Sequence, residues 1–243
     1  MFQPAPQRVN QRQSSKSTVV RLGAWLHTLL APPQCVLCDQ PGLPGPIDLC
    51  ADCLADLPRS ASSCTRAVAG YQLICCPWGF EFPIDELVRA LKFRGERSYA
   101  RLLGTLLARA RQDCDLPLPQ RVIPVPLHPR RLRERGYNQA AELARFAARE
   151  LGLRCELQAL QRLRPTRAQT RLGAAERAVN TRHAFQARVS LHTLRVALVD
   201  DVITTGSTAA AAALALRAAG AVDIELWVVA RAQRRRSGPV HTT

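Results

Sequence analysis

The segment V-A-L-V-D-D-V-I-T-T-G-S-T-A-A-A-A, residues 196–212, places two adjacent carboxylates and a run of hydroxyls between two regular elements. The apolar residues that precede the carboxylates are rich in β-branched side chains and predict a buried strand at 195–199. The alanine-rich stretch 207–219 predicts a helix. The segment is therefore predicted to be a strand–loop–helix junction.

This junction has the residue types of a ligand site. In parallel sheets, ligands bind at the carboxyl ends of strands, where we expect Asp200 and Asp201. The loop 204–208 opens a helix, so its N–H groups and hydroxyls can converge on a phosphate. Ionised carboxylates only accept hydrogen bonds and suit vicinal hydroxyls, so a ribose 5-phosphate would satisfy the whole segment. The alternative is an ordinary strand end followed by a Ser/Thr helix cap.

Strand and helix patterns alternate along the rest of the chain. Further strands are predicted from residue 121, at 155–163 and at 223–232, and further helices at 84–93, 99–110 (hinged near Gly95) and 138–152. A polar, arginine-rich segment follows at 164–180. This alternation predicts a mainly parallel α/β sheet with helices on both faces.

A second basic motif, V-P-L-H-P-R-R-L-R-E-R-G-Y-N-Q, spans residues 125–139. Forked guanidinium groups suit phosphate oxygens, so the motif is a candidate site for a diphosphate on carbon 1 of the ribose. An exposed basic turn is the alternative. Asn138 is expected to cap the next helix. The arginines of the motif are Arg130, Arg131, Arg133 and Arg135.

Four of the nine cysteines form two C-x-x-C pairs, Cys35–Cys38 and Cys50–Cys53, separated by eleven residues. This spacing is typical of a four-thiolate zinc site, which would be structural because every position is filled by protein. An odd number of cysteines with paired spacing favours metal binding in a reducing cytoplasm over a secreted disulfide framework.

The remaining cysteines do not repeat the paired C-x-x-C pattern intact, so the sequence leaves open whether Cys64, Cys75 and Cys76 bind metal. Ala67 stands where Cys64 would need a partner, and Cys75 is directly followed by Cys76 rather than spaced from it. Two further cysteines are expected to be isolated, buried apolar residues. These are Cys114 and Cys155.

Charge and hydropathy set the broad class. The 34 Lys and Arg residues outnumber the 19 Asp and Glu residues, for a formal charge of +15. Such a surface attracts polyanions, whether phosphorylated metabolites or nucleic acid, although a generally arginine-rich composition is the alternative. No run of about 18 apolar residues is present, so no membrane insertion is expected.

We predict a disordered basic tail at 1–18, an N-terminal helix and zinc module at 19–80, the α/β domain at 81–232, and a flexible tail at 233–243.

The string D-D-V-I-T-T-G-S-T at 200–208 resembles the phosphoribosyl pyrophosphate signature of type I phosphoribosyltransferases. Together with the motif at 125–139 and the preceding cysteine module, it resembles the ComF family, including the GntX proteins, over residues 35–231. The segment 167–185 is similar to the mobile stretch of that family. The resemblance implies a type I phosphoribosyltransferase-like domain after a zinc-ribbon or knuckle module.

The resemblance also implies a function. Phosphoribosyl pyrophosphate would bind with Mg²⁺, and an unknown acceptor would displace its diphosphate. The alternative is a non-catalytic protein of DNA uptake that binds single-stranded DNA or other competence proteins. Whether turnover occurs and the oligomeric state are left open.

Roles are assigned by the same resemblance. The lid candidates are Arg164, Arg167 and Arg171, while neither His128 nor His183 is identified as a base. The implied catalytic residues are Asp200, Asp201, Arg131 and Arg135. The implied phosphoribosyl pyrophosphate contacts are Asp200, Asp201, Thr204, Thr205, Gly206, Ser207, Thr208, Arg130 and Arg131.

Overall fold

A computed structural model of the chain describes residues 33–68, 70–163 and 184–232. The chain divides into two units, Met1–Leu54 and Ala55–Thr243. The described part of the first unit is rich in turns, and helix α1 (Ala51–Ala55) begins in it. The predicted tails at 1–18 and 233–243 and the arginine-rich segment 164–180 lie outside the described residues.

The second unit is built on a mostly parallel sheet with strand order β1–β2–β9–β8–β4–β5, and β3 also pairs with β9. Each of these pairings is parallel except that of β1 with β2. The strands are β1 (Cys64–Val68), β2 (Tyr71–Cys75), β3 (Trp78–Gly79), β4 (Arg121–Pro124), β5 (Arg154–Cys155), β8 (Arg195–Ile203) and β9 (Asp223–Arg231). A separate antiparallel pair consists of β6 (Leu160–Arg162) and β7 (Phe185–Ala187).

Helices cover both faces of this sheet. Because side chains alternate along a strand, Ile224 and Leu226 of β9 pack in the cluster that contains the alanines of α6, whereas Glu225 bonds to Arg111 of α3 on the opposite face. Helix α5 packs beside α3 and contacts β4 and β8. The helices are α2 (Ile84–Arg89), a π-helix (Ala90–Arg94), α3 (Ser98–Gln112), α4 (Pro129–Arg135), α5 (Gln139–Glu150) and α6 (Ser207–Ala218). The predicted α/β class is confirmed.

Helices α3 and α5 approach each other closely at Gly104. A Cβ atom at this position would lie 2.8 Å from both the carbonyl oxygen of Leu143 and the Cβ of Phe146. Since real Cβ atoms do not come so close to backbone, only glycine permits this helix spacing.

No helix of the described part is long and apolar enough to cross a membrane.

A buried ion pair joins α3 to β9. The guanidinium of Arg111 donates to both carboxylate oxygens of Glu225, at 2.6 and 2.8 Å, and the indole Nε1 of Trp227 donates to the same carboxylate at 2.7 Å. Arg111 is fully buried and Glu225 nearly so. Because each charge depends on the other for its partner, removal of either would leave an uncompensated buried charge.

Three predicted boundaries differ from the structure. The predicted strand 155–163 is instead β5 and β6, which belong to different sheets. The strand predicted at 195–199 continues to Ile203 because its ladder with β9 extends to the pair Ile203–Arg231. Residues 55–80, predicted to belong to the zinc module, lie in the second unit because β1, β2 and β3 extend the main sheet.

Candidate functional site

The loop between β8 and α6 has the geometry of an anion cradle. Gly206 precedes α6 with φ of 76°, a left-handed conformation that favours glycine. No side chain caps the helix from the N-cap position, so the N–H groups of the first turn can bind an anion. The hydroxyls of Thr205 and Ser207 lie 3.1 Å apart beside it.

These residues line a cavity of about 60 Å³, which we call the loop cavity. Asp200 of β8 and the whole loop 204–208 contribute to its wall. Complete small-molecule sites usually occupy roughly 300 Å³ or more. The loop cavity therefore suits a single group of phosphate size rather than an entire nucleotide.

The two adjacent carboxylates lie within β8 and not beyond its end. Because side chains alternate along a strand, Asp200 lies on the face of the loop cavity and Asp201 on the other face. Asp200 Oδ1 accepts a hydrogen bond from the N–H of Asp201 at 2.9 Å, and Asp201 Oδ1 accepts one from the N–H of Val202 at 2.6 Å. The structure thus brings Asp200 together with residues 204–208, but Asp201 does not line that cavity.

Asp201 forms an ion pair with Lys92, whose Nζ lies 2.9 Å from Asp201 Oδ1. Lys92 lies in the π-helix, a rare element that is frequent at functional sites. Asp201 Oδ2 is buried and has no hydrogen-bond partner among the described residues. Since a buried acceptor without a partner is costly, a donor that reached this oxygen would remove that cost.

The two carboxylates also influence each other. Burial, followed by the neighbouring charge of Asp201, raises the pKa of Asp200 to about 7, although Lys92 and Arg162 act in the opposite direction. Near neutral pH, the carboxyl group of Asp200 is therefore partly protonated. A ligand that needs the ionised carboxylate would displace that proton on binding.

A second cavity of about 400 Å³ lies against Lys92, and we call it the arginine cavity. Arg131 and Arg135 of α4, for which the sequence predicts phosphate contacts, line this cavity, whereas Arg130 is not part of its wall. The guanidinium of Arg135 lies 5.4 Å from the ring centre of Phe93, a side chain that is 70% exposed. The arginine cavity thus combines cations with an exposed aromatic ring.

Helices α4 and α5 each begin at a residue whose side chain caps the helix. His128 Nδ1 accepts a hydrogen bond from the N–H of Arg130 at 3.3 Å, so His128 serves as the N-cap of α4. Asn138 caps α5, as predicted, by accepting from the N–H of Ala140 at 3.1 Å. Of the other residues considered from the sequence, His183, Arg164, Arg167 and Arg171 lie outside the described residues.

The first unit contains the predicted four-cysteine cluster. The sulfurs of Cys35, Cys38, Cys50 and Cys53 all lie within 4.8 Å of one another. Burial alone would raise the pKa of Cys35, but hydrogen bonds from the backbone N–H groups of Cys50, Leu37 and Cys38 bring it to about 6. Four converging sulfurs fit a tetrahedral zinc ion.

Sequence reasoning missed two features of the second unit. Lys92 stands out only as one of two lysines in the whole chain, and its pairing with Asp201 could not be predicted locally. The prediction that Cys114 is isolated is wrong, because it forms a disulfide with Cys64, with Cys75 beside them. Cys155 joins none of the cysteine clusters among the described residues, but it is half-buried rather than buried as predicted.

The chain is similar to several known proteins. The double zinc ribbon domain family matches residues 26–73, which supports a structural zinc site. The chain is 33% identical over 224 residues to the DNA utilization protein YhgH of Salmonella typhi, covering 84% of this chain and 99% of that protein. It is 39% identical over 157 residues to competence protein F of Haemophilus influenzae, covering 62% and 69% respectively. The chain belongs to this family of competence protein F and YhgH, the ComF/GntX family.

Solved structures with a similar fold include phosphoribosyltransferases. The adenine phosphoribosyltransferase of Leishmania tarentolae matches with a TM-score of 0.39 and 15% identity over 68% of this chain and 79% of its own. The glutamine phosphoribosylpyrophosphate amidotransferase of B. subtilis matches with a TM-score of 0.37 and 25% identity over 52% of this chain. The match spans a quarter (25%) of the length of the amidotransferase.

Proposed function

We propose that the second unit binds phosphoribosyl pyrophosphate with Mg²⁺ and transfers its phosphoribosyl group to an acceptor. The observation that carries this proposal is the order of contacts across the site. The loop cavity is lined by Asp200, the adjacent Asp201 pairs with Lys92, and Lys92 lines the arginine cavity. A 5-phosphate, a ribose with two hydroxyls and a diphosphate follow one another in the same order along the ligand.

Each part of the ligand has a partner of suitable chemistry. The N–H groups and hydroxyls of 204–208 would hold the 5-phosphate at the positive end of the α6 dipole. The ribose hydroxyls would donate to Asp200 and to the unpartnered Oδ2 of Asp201. The diphosphate would lie against Arg131, Arg135 and Lys92. Binding would thus use every contact predicted from the sequence except Arg130, which lies outside the arginine cavity.

The reaction that follows is a substitution at carbon 1 of the ribose. The bond from carbon 1 to the diphosphate oxygen breaks, its electron pair leaves with pyrophosphate, and the nucleophile forms the new bond to carbon 1. Mg²⁺, which prefers phosphate and carboxylate oxygens, would neutralise part of the charge on the diphosphate. Arg131 and Arg135 would stabilise the negative charge that develops on the leaving group.

Calorimetric titration with phosphoribosyl pyrophosphate, with and without Mg²⁺, tests the proposal. We expect micromolar binding that depends on Mg²⁺, and release of pyrophosphate only when an acceptor is supplied. Ribose 5-phosphate alone should bind more weakly, because it leaves the arginine cavity empty. Absence of any binding heat, in protein that is folded and carries zinc, would overturn the proposal.

A role in DNA handling is the second candidate, and it is favoured by the relatives' names and by the net charge. The names DNA utilization protein and competence protein F belong to the relatives. The charge of +15 and the exposed ring of Phe93 beside arginines suit single-stranded DNA, whose bases stack on aromatic side chains. In that role the protein would act in the cytoplasm with other competence proteins.

Fluorescence anisotropy with a labelled single-stranded oligonucleotide separates the two functions. Salt-sensitive binding that phosphoribosyl pyrophosphate does not displace would assign DNA to a surface other than the candidate site. Displacement by phosphoribosyl pyrophosphate would assign both ligands to the same cavities. No oligonucleotide binding at low salt would reject the DNA role.

A further inference from the structure

Three cysteines from separate elements meet in the second unit, and none of them lines the loop cavity or the arginine cavity. Cys64 begins β1, Cys75 ends β2 opposite Cys64 in the antiparallel register, and Cys114 follows the end of α3. Their three sulfurs lie within 4.8 Å of one another. Cys75 and Cys114 are buried, whereas Cys64 is half-buried. The proposed function uses none of them.

The cluster contains one cysteine more than a disulfide requires. Cys64 and Cys114 form a disulfide with their Cα atoms 6.1 Å apart. This bond alone would link β1 to the end of α3, yet Cys75 lies against both sulfurs as a free thiol. When the disulfide is reduced, three thiols therefore converge on one point.

We propose that these three cysteines form a redox-responsive site for a thiophilic divalent ion such as Zn²⁺. Thiolates bound to zinc at about 2.3 Å lie roughly 3.8 Å from each other, which is compatible with three sulfurs that lie within 4.8 Å. Among the described residues no other His, Cys, Asp or Glu joins the cluster, so the fourth position of a tetrahedral ion is left to solvent. The half-buried Cys64 gives solvent its access.

This site differs from the four-cysteine cluster in where its ligands come from. Cys75 and Cys114 lie beyond residues 26–73, which match the double zinc ribbon family, and Cys114 belongs to the helical layer of the second unit. Ala67 stands where a C-x-x-C pair with Cys64 would end. Cys114, which follows α3, would thus supply the ligand that a cysteine at position 67 does not provide.

Oxidation would release the ion. The thiolates of Cys64 and Cys114 lose two electrons as the S–S bond forms, and a hydroperoxide is reduced by breaking its O–O bond. Two protons are taken up, one by each oxygen released from the O–O bond, and the products are the disulfide, one water, and an alcohol (or another water when the oxidant is hydrogen peroxide). The ion leaves with its charge unchanged, since Cys75 alone cannot retain it. A dithiol reductant would reverse the reaction and restore binding.

Zinc content measured by atomic emission tests the reduced state. In protein purified with zinc under a phosphine reductant, we expect one zinc ion fewer per chain in Cys114→Ser than in the wild type. Cys64→Ser should lose the same ion, and it provides a second variant at a half-exposed position should the buried change disturb folding. Cys155→Ser, which removes a cysteine outside the cluster, should match the wild type.

Peroxide treatment tests the redox half of the proposal. A chelating dye should detect one more zinc ion released from the wild type than from Cys114→Ser, and mass spectrometry should identify the Cys64–Cys114 disulfide. Addition of dithiothreitol should allow the ion to rebind. Equal zinc content in the reduced wild type and both variants would overturn the metal site. Release of the ion without that disulfide would overturn the redox response.

Discussion

Asp200→Asn should stabilise the ligand-free protein. The pKa of Asp200 is raised from its ordinary value of 3.8 to about 7, first by burial and then by the charge of Asp201. At about 1.4 kcal/mol per pKa unit, this difference corresponds to a destabilisation of about 4 kcal/mol when the carboxylate is ionised. Because Asp200 lines a cavity that is open to solvent, we expect about 2 kcal/mol after screening. Asparagine keeps the shape and removes the charge.

The sign of the effect sets its pH dependence. The folded-state pKa is the higher one, so the folded protein binds the proton more tightly, and stability is lost as pH rises from about 4 to about 7. The stability gained by Asp200→Asn should therefore be largest at pH 8 and smaller at pH 5.5. Urea unfolding at both pH values measures it. The control is Asp223→Asn, at the start of β9 and therefore at the opposite end of the parallel strands. An Asp200→Asn protein no more stable than the wild type at pH 8 would refute the reasoning.

Three further changes test separate parts of the structure. Cys38→Ser should yield less than stoichiometric zinc in the four-cysteine cluster and a poorly folded first unit; atomic emission and proteolysis measure this, and normal zinc content would count against the cluster. Gly206→Val should weaken phosphoribosyl pyrophosphate binding at least about tenfold at unchanged global fold, because a β-branched residue is strained at φ of 76°; unchanged affinity in calorimetry would argue against the cradle. Arg111→Met should lower the free energy of unfolding by about 3 to 5 kcal/mol because it leaves the buried charge of Glu225 without a partner. A decrease below about 1 kcal/mol in urea unfolding would contradict that account.

The β8–α6 junction could be predicted because its signals are local. Apolar β-branched residues, a glycine before hydroxyls and an alanine run each favour one conformation over a few residues. The alternation of such segments then fixes the α/β class, since parallel strands need helical connections. The caps at Asn138 and the helix end near Gly152 follow the same local logic, and the structure confirms both.

The differences arise where distant residues decide the outcome. The length of β8 depends on its pairing with β9. The division between the two units depends on β2 and β3, which both pair with β9 and so belong to the main sheet. The pairing of Lys92 with Asp201 and the meeting of Cys64 with Cys114 connect residues far apart along the chain. Neither leaves a periodic signal in the sequence, so only the tertiary structure brings out these contacts.

The central claim is that the carboxylates hold the ribose of phosphoribosyl pyrophosphate, and the affinity of Asp201→Asn tests it most directly. Loss of charge-assisted hydrogen bonds should weaken Mg²⁺-dependent binding by about 1 to 3 kcal/mol. Calorimetry should find this decrease for Asp201→Asn but not for the control Asp223→Asn, which lies at the start of β9, at the opposite end of the parallel strands. An affinity equal to that of the wild type would contradict the ribose assignment.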